Sequence, residues 1–334
     1  MYRLIGAILM FAPVLAGLSS CGNLINDDLD PCEEGVRLRF IYDYNMEFAN
    51  AFPSQVTCLT LLVYDGNGGY MERVDVTDPA LLGDEDWRMD LKLAPGKYRL
   101  LAYGGMACEK STFHFVTPPA HDTTVEAVSV AMDDRILEAP TGTQLHHLFY
   151  GSLDVEVPPS QTAYREYTLP MMKDTNTIRV LLQNVDGTPL DDRDFDFTIT
   201  DDNTLLDRDN FPMVNGAYEY RPWTSGRLEG GQTEDGEISY LAFAEFSTSR
   251  LIDRPGATLT IVRKSDGRTV LSIPLVRYLQ MLRSQEFADM EPQEFLDRES
   301  RWSLILFLDS QTGSWITTRI VINDWVIRIN DIEA

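Results

Sequence analysis

The strongest constraint on how this chain can fold is a hydrophobic period of two. In GVRLRFIYDY, Val36, Leu38, Phe40 and Tyr42 alternate with Arg37, Arg39, Ile41 and Asp43. Successive side chains of an extended backbone point to opposite faces, so this alternation predicts a strand with one face buried. VTCLTLLVYD then places Leu59, Leu61 and Val63 on one face. The turn signal DGNGG follows, and YMERVDV, WRMDLKL and GKYRLLAYG continue the pattern, with Pro95-Gly96 as the turn before the last. Four or five strands with almost no helical period within residues 35–104 predict a β-sandwich.

Further along, Pro118, Pro119, Pro140, Pro158 and Pro159 cut residues 105–170 into short pieces. VEAVSVAM and REYTLPM read as strands, LDVEV is expected to pair with one of them, and HHLFYGS reads as a loop entering a strand. A second run begins at Thr177, with TIRVLLQN, DFDFTIT, AYEYRPW, ISYLAFAEF, ATLTIVRK and TVLSIPL. Between Pro274 and Arg301 the period changes, and LVRYLQMLRS and PQEFLDRES predict helices, the second with Pro292 near its start. RWSLILFLD and WITTRIVINDWVIRI, rich in β-branched residues, close the chain as strands. A 334-residue chain is longer than one compact core normally serves. The expected fold is therefore all-β, with tandem sandwiches at residues 35–169 and 170–334 and short helical segments near 275–300.

The N-terminus carries an address. Arg3, an apolar run from Leu4 to Leu18 and the sequence LAGLSSC form a bacterial lipoprotein signal. Residues 1–20 are expected to be removed by cleavage between Ser20 and Cys21, and Cys21 to be acylated. Each buried methylene contributes roughly 0.8 kcal/mol, so two or more acyl chains hold a protein in a lipid layer almost irreversibly. Residues 21–34 read as an acidic tether, with Asp27, Asp28, Asp30, Glu33 and Glu34 close together. Such a cluster resembles the export tag that sends lipoproteins of Bacteroides-type bacteria to the outer face of the outer membrane. The net charge of −24 argues against nucleic acid as a partner, because binding it needs a basic face.

Setting Cys21 aside leaves Cys32, Cys58 and Cys108, enough for one bridge and a spare thiol. A Cys32–Cys108 bridge is expected because both lie at predicted strand ends, whereas Cys58, inside an apolar strand, reads as a buried small hydrophobe. No metal site is expected: the cysteines are scattered and no histidine stands at ligand spacing from them. The aspartate runs DDRDFDF and DDNTLLDRDN lack the alternating ligands, sixth-position glycine and closing glutamate of a calcium loop. His114, His121, His146 and His147 form no catalytic motif, and no nucleophile elbow, zinc helix or phosphate loop is present. Neither an enzyme activity nor a cofactor is expected. Trp302, Trp315 and Trp325 read as core. If Trp87 or Trp223 were exposed and coplanar in a cleft, a surface glycan-binding lipoprotein would be the alternative.

Several stretches together resemble the FimB-type fimbrial anchor proteins of Bacteroides-type bacteria. They are the lipoprotein cysteine with its tether, GVRLRFIYDYNM, VYDGNGGY, LAPGKYRLLAYGG, HHLFYGS, KDTNTIRV, SIPLVRYL, QEFLDRES and VINDWVIRI, which span nearly the whole mature chain in order. Tyr103 stands where a tryptophan is expected before Gly104-Gly105. The resemblance implies two transthyretin-like sandwiches and a role at the base of a fimbrium, fixing it to the outer membrane and influencing its length. It also implies a major shaft subunit as partner, joined by strand complementation, in which main-chain hydrogen bonds give affinity and side-chain pockets give register. Shaft subunits of this kind lose their first strand by cleavage at an arginine. A cut at Arg37 or Arg39 here would separate lipid from body, so the anchor is expected to keep GVRLRFIYDY. After WVIRI only NDIEA remains, too short for a long donor strand.

Overall fold

The computed structural model describes residues 35–139, 142–159, 163–232, 236, 238–323 and 325–328. Ser20, Cys21 and Cys32, with the signal and the tether, lie outside the described residues. The first half contains β1 (Gly35–Ile41), β2 (Leu59–Asp65), β3 (Tyr70–Val76), β4 (Met89–Leu91), β5 (Gly96–Gly104), β6 (Phe113–Phe115), β7 (Ser129–Met132), β8 (Phe149–Val157), β9 (Tyr164–Pro170) and β10 (Met172–Lys173). The second contains β11 (Asn176–Asn184), β12 (Phe195–Asp201), β13 (Leu205–Asp207), β14 (Tyr218–Tyr220), β15 (Thr224–Gln232), β16 (Ile238–Thr248), β17 (Thr258–Arg263), β18 (Arg268–Pro274), β19 (Arg301–Asp309), β20 (Ser314–Ile322) and β21 (Trp325–Arg328).

These strands build two sandwiches. In the first, sheet β4-β1-β9 faces sheet β10-β8-β5-β2-β3. Val36, Leu38 and Phe40 of β1 pack with Leu59, Leu61 and Val63 of β2 and Leu100 and Ala102 of β5. In the second, sheet β15-β16-β11-β19-β20-β21 faces sheet β14-β12-β17-β18, with Ile178, Val180, Phe197, Ile199, Leu259 and Leu304 between them. Each half begins with a strand in parallel pairing to a much later one, β1 with β9 and β11 with β19. The helix Leu275–Glu286 and the helix Pro292–Arg298 fill the stretch between β18 and β19. Both were expected from the change of period, and Pro292 supplies the fixed backbone angle that suits a first helical turn.

The halves share a core. β2 is buried along its apolar run because both of its faces are covered: Leu62 and Tyr64 point away from β1, toward Phe113, Phe115, Val130 and Met132, in a cluster continuous with that of the second sandwich. A small sheet β13-β7-β6 joins a second-half strand to two from the first. Burying this much apolar surface on both faces of one sheet couples the halves far more firmly than a linker would.

Three expectations are corrected. LDVEV belongs to β8 and pairs with β5, Tyr98 opposite Val155, rather than with SVAM or REYTLP. Val125–Ala127, at the start of VEAVSVAM, is a 3-10 turn. The disulfide joins Cys108 to Cys58, with a Cα separation of 5.5 Å, and not to Cys32. Its cause is a backbone contact: Gly105 donates from its N–H to the carbonyl of Cys58 at 3.0 Å and folds the chain after β5 back past the start of β2. Gly105 sits at φ +94°, and a Cβ there would lie 2.0 Å from the His147 carbonyl oxygen, so only glycine makes this turn.

Candidate functional site

The first strand connects the body to residues 1–34. β1 is the central strand of its sheet. Its seven residues pair in parallel with Tyr164–Pro170 of β9, and Val36, Arg37 and Leu38 pair antiparallel with Leu91, Asp90 and Met89 of β4. Gly35 opens the strand where a Cβ would stand 1.9 Å from the Leu91 carbonyl oxygen, so β4 lies directly against it. Arg37 and Arg39 occupy the exposed face. The Arg37 guanidinium makes two 2.7 Å hydrogen bonds to the Asp90 carboxylate, and each partner favours the other's charged form, so the carboxyl of Asp90 is held below its ordinary range.

The far end of β1 is fastened to the second half. Tyr42 accepts a hydrogen bond from Ala51 N–H at 2.8 Å and donates its own N–H to Asn50 Oδ1 at 2.9 Å. Buried Asn45 ties the same loop by donating from Nδ2 to the carbonyls of Tyr42 and Ala49. Across it lies Arg298, at the end of helix Pro292–Arg298. Its guanidinium stands over the rings of Tyr44 and Phe48, 4.1 and 4.6 Å from their centroids, donates to the carbonyl of Asp43 at 3.3 Å, and is held by Glu294 at 2.7 Å.

Beneath this contact runs a buried polar chain. Asp297 accepts two 2.8 Å hydrogen bonds from Arg250, and both side chains are less than a tenth exposed. Arg250 also donates to the carbonyl of Asn210. Asn210 Nδ2 donates to Asp174 at 2.7 Å, and Asp174 N–H donates to the carbonyl of Leu148 at 2.8 Å. The junction KDTN, from Lys173 to Asn176, is buried at every position. A buried charge must be paired and hydrogen-bonded to persist; here the paired groups come from the second half, and the chain reaches the first half through the Asp174 N–H to the Leu148 carbonyl.

A cleft of about 590 Å³ opens beside the junction, lined among others by Asn50, Gln55, His147, Lys173, Glu299 and Arg301. Burial, then the neighbouring charge of Arg301, brings the Lys173 ammonium down to about 8, with Glu299 acting the other way. Burial and the charge of Lys173 bring His147 to about 4.

Other candidates separate rather than converge. His114 and His121 are exposed, and His146 and His147 lie in the segment entering β8. No group of three metal-ligating side chains is found among the described residues. In the aspartate runs, Asp191 caps a 3-10 turn and binds Arg193, Asp196 pairs with Lys264 at 3.2 Å, and Asp207 accepts the N–H groups of Asp209 and Phe211. Trp87 is half-buried and stacked on Phe40 at 5.9 Å, and Trp223 is half-buried. Trp302 is buried and Trp315 packs against the core; the side chain of Trp325 lies outside the described residues. Sequence reasoning missed the junction residues Asp174, Arg250, Asp297 and Arg298. Three of them sit within KDTNTIRV and QEFLDRES; for Asp297 and Arg298 the available signal is charge directly after the core-forming Phe295-Leu296, whereas Asp174 lies in a polar run that gives none.

A family model of the fimbrillin-A-associated anchor proteins Mfa1 and Mfa2 matches residues 29–331. Among solved structures, a candidate adhesin from Bacteroides thetaiotaomicron is 48% identical over 91% of this chain and 100% of its own, with a TM-score of 0.86. A candidate polysaccharide-binding protein from the same species is 28% identical, covering 89% of this chain and 98% of its own at a TM-score of 0.76. The fimbrial anchor protein Mfa2 from Porphyromonas gingivalis shares the fold at 16% identity and a TM-score of 0.65, over 88% of this chain and 98% of its own. No curated protein matches in sequence.

Proposed function

The chain belongs to the family of fimbrillin-A-associated anchor proteins, and we propose that it fixes a fimbrium to the outer membrane through an acylated Cys21. The observation that carries this reading is the position of β1, flanked by β4 and β9 and buried along Val36, Leu38 and Phe40. A pull on the lipid enters the body at Gly35 and runs along the strand axis. The whole parallel ladder to β9 then bears the load at once, which is harder to break than a ladder opened one bond at a time.

The loop after β1 hands that load to Arg298, and the Asp297–Arg250–Asn210–Asp174 chain spreads it across both sandwiches. The partner on the other side is the major shaft subunit, joined by strand complementation. A retained first strand leaves this subunit's own groove filled, which ends the series of open grooves along the shaft and sets a limit to fimbrial length.

The test is Cys21→Ala in cells that make the fimbrium. Protein and fimbriae are expected to appear together in the medium or, if signal cleavage fails, an uncut precursor carrying no lipid. A variant still cleaved, lipid-bearing and attached to fimbriated membranes would overturn the proposal.

A further inference from the structure

We propose that the cleft beside the junction is a binding site for a carboxylate carried by a peptide, received by Lys173. Lys173 is only 8% exposed, it lines the cleft, and its ammonium has no salt-bridge or hydrogen-bond partner among the described residues. The nearest acid, Glu299, is already engaged. Its Oε1 accepts the N–H groups of Ser300 and Arg301 at 2.9 and 2.8 Å, and its Oε2 faces Asn323 Nδ2 at 3.4 Å. Arg301 at the rim, an exposed guanidinium, also lacks an ion pair among the described residues.

A buried ammonium without a counter-ion is costly, and its depressed pKa expresses that cost. An incoming carboxylate would supply the missing partner. The cleft also carries the carboxylates Glu47 and Glu299; Glu299 is taken up by main-chain N–H groups and Glu47 is exposed to solvent, which leaves Lys173 and Arg301 as the cations available to an incoming anion.

The lining favours a peptide over an acidic sugar. No exposed tyrosine, phenylalanine or tryptophan lines the cleft, so a sugar ring has no stacking face. Carboxamides are present instead. Asn50 Oδ1 is occupied by the N–H groups of Tyr42 and Phe52, which leaves its amide donors for a main-chain carbonyl, and Gln55 stands beside it. This site goes beyond the anchor reading and does not depend on acylation.

The experiment uses the mature lipoprotein in detergent micelles and a C-terminally amidated Gly-Glu-Gly-Glu-Gly peptide with an uncharged fluorophore at its N-terminus, so that the Glu side chains are its only carboxylates, followed by fluorescence anisotropy. The Gln analogue and sodium galacturonate serve as comparisons. The Glu peptide is expected to bind saturably and the Gln analogue about tenfold or more weakly, as for the loss of a charge-assisted contact. Lys173→Met should weaken the Glu peptide by at least about tenfold, and Arg301→Gln, on the exposed rim where folding is undisturbed, by a smaller factor. The wild-type affinity should fall between about pH 7 and about pH 9.5, as the free lysine loses its proton. Absence of binding, equal binding of the Glu and Gln peptides, unchanged affinity in Arg301→Gln, or tighter binding of galacturonate than of the Glu peptide would each overturn the proposal.

Discussion

Asp174 carries a buried carboxyl that the fold satisfies only in part. It is fully buried, one carboxylate oxygen accepts from Asn210, and the other has no partner. Burial pushes its carboxyl up to about 7, against the pull of Arg250 and Asn210. A carboxyl whose folded pKa lies above its unfolded value binds its proton more tightly when folded. That contribution to stability is complete below the ordinary carboxylate value and is lost as pH rises through about 7. Urea unfolding should therefore show a fall of roughly 2–3 kcal/mol from this group between about pH 5 and about pH 8. In Asp174→Asn that slope should flatten; an unchanged slope would place the titration elsewhere. Arg250 and Asp297 present the complementary case, a buried pair with both members bonded. Asp297→Ala leaves a guanidinium buried without its partner and should cost about 3–5 kcal/mol, while removing both charges in Arg250→Met/Asp297→Leu should cost clearly less. A denaturation double-mutant cycle gives the coupling directly, and additive losses would contradict it.

At the level of elements, the disulfide closes a loop across 50 residues of chain, tying the start of β2 to the segment after β5. Loop closure of that length corresponds to about 4 kcal/mol in the unfolded-chain model, so Cys58→Ala/Cys108→Ala should lose a few kcal/mol in urea unfolding. Peptide mapping of the native protein should find Cys58 and Cys108 in one linked fragment; a Cys32–Cys108 fragment would refute the pairing. Sequence could not supply this bridge. Cys58 is 1% exposed and reads as core, and only the Gly105 turn brings Cys108 to it. Local period was enough to find β1, β12 and β19, whose burial alternates along the strand. It could not separate the two covered faces of β2, because an apolar run records burial and not which layer covers it. The parallel pairs β1–β9 and β11–β19 join strands over a hundred residues apart in the chain, and no local pattern carries such a register. The junction was hidden for a different reason. A polar run such as KDTN between strands looks like a solvated turn, and its burial depends on Arg250 and Asn210 far along the sequence.

On the scale of the whole molecule, the lipid, the first strand and the junction form one mechanical line under the proposed role, and proteolysis tests its first link. From Cys21 to Gly35 the chain contains neither arginine nor lysine, so Arg37 is the first basic residue after Cys21. Cleavage requires about a protease-site length of extended, unpaired backbone. Arg37 instead has its main chain in register with Glu166 on one side and Asp90 on the other, and its side chain bound to Asp90. Arg39 is opposite Thr168 in the same ladder. An arginine-specific protease applied to whole cells should therefore leave this subunit attached and its N-terminal region intact. A cleavage site inserted between Glu34 and Gly35, where β1 begins, should release body and fimbrium together when its own protease is added. Recovery of a body whose N-terminus is Leu38 or Phe40, with fimbriae still on the cell, would mean that the first strand is expendable and that the load reaches the membrane by another route. Recovery of the same N-terminus with fimbriae shed would show that β1 opens readily enough to be cut, and the parallel ladder to β9 would then be too weak to serve as the link.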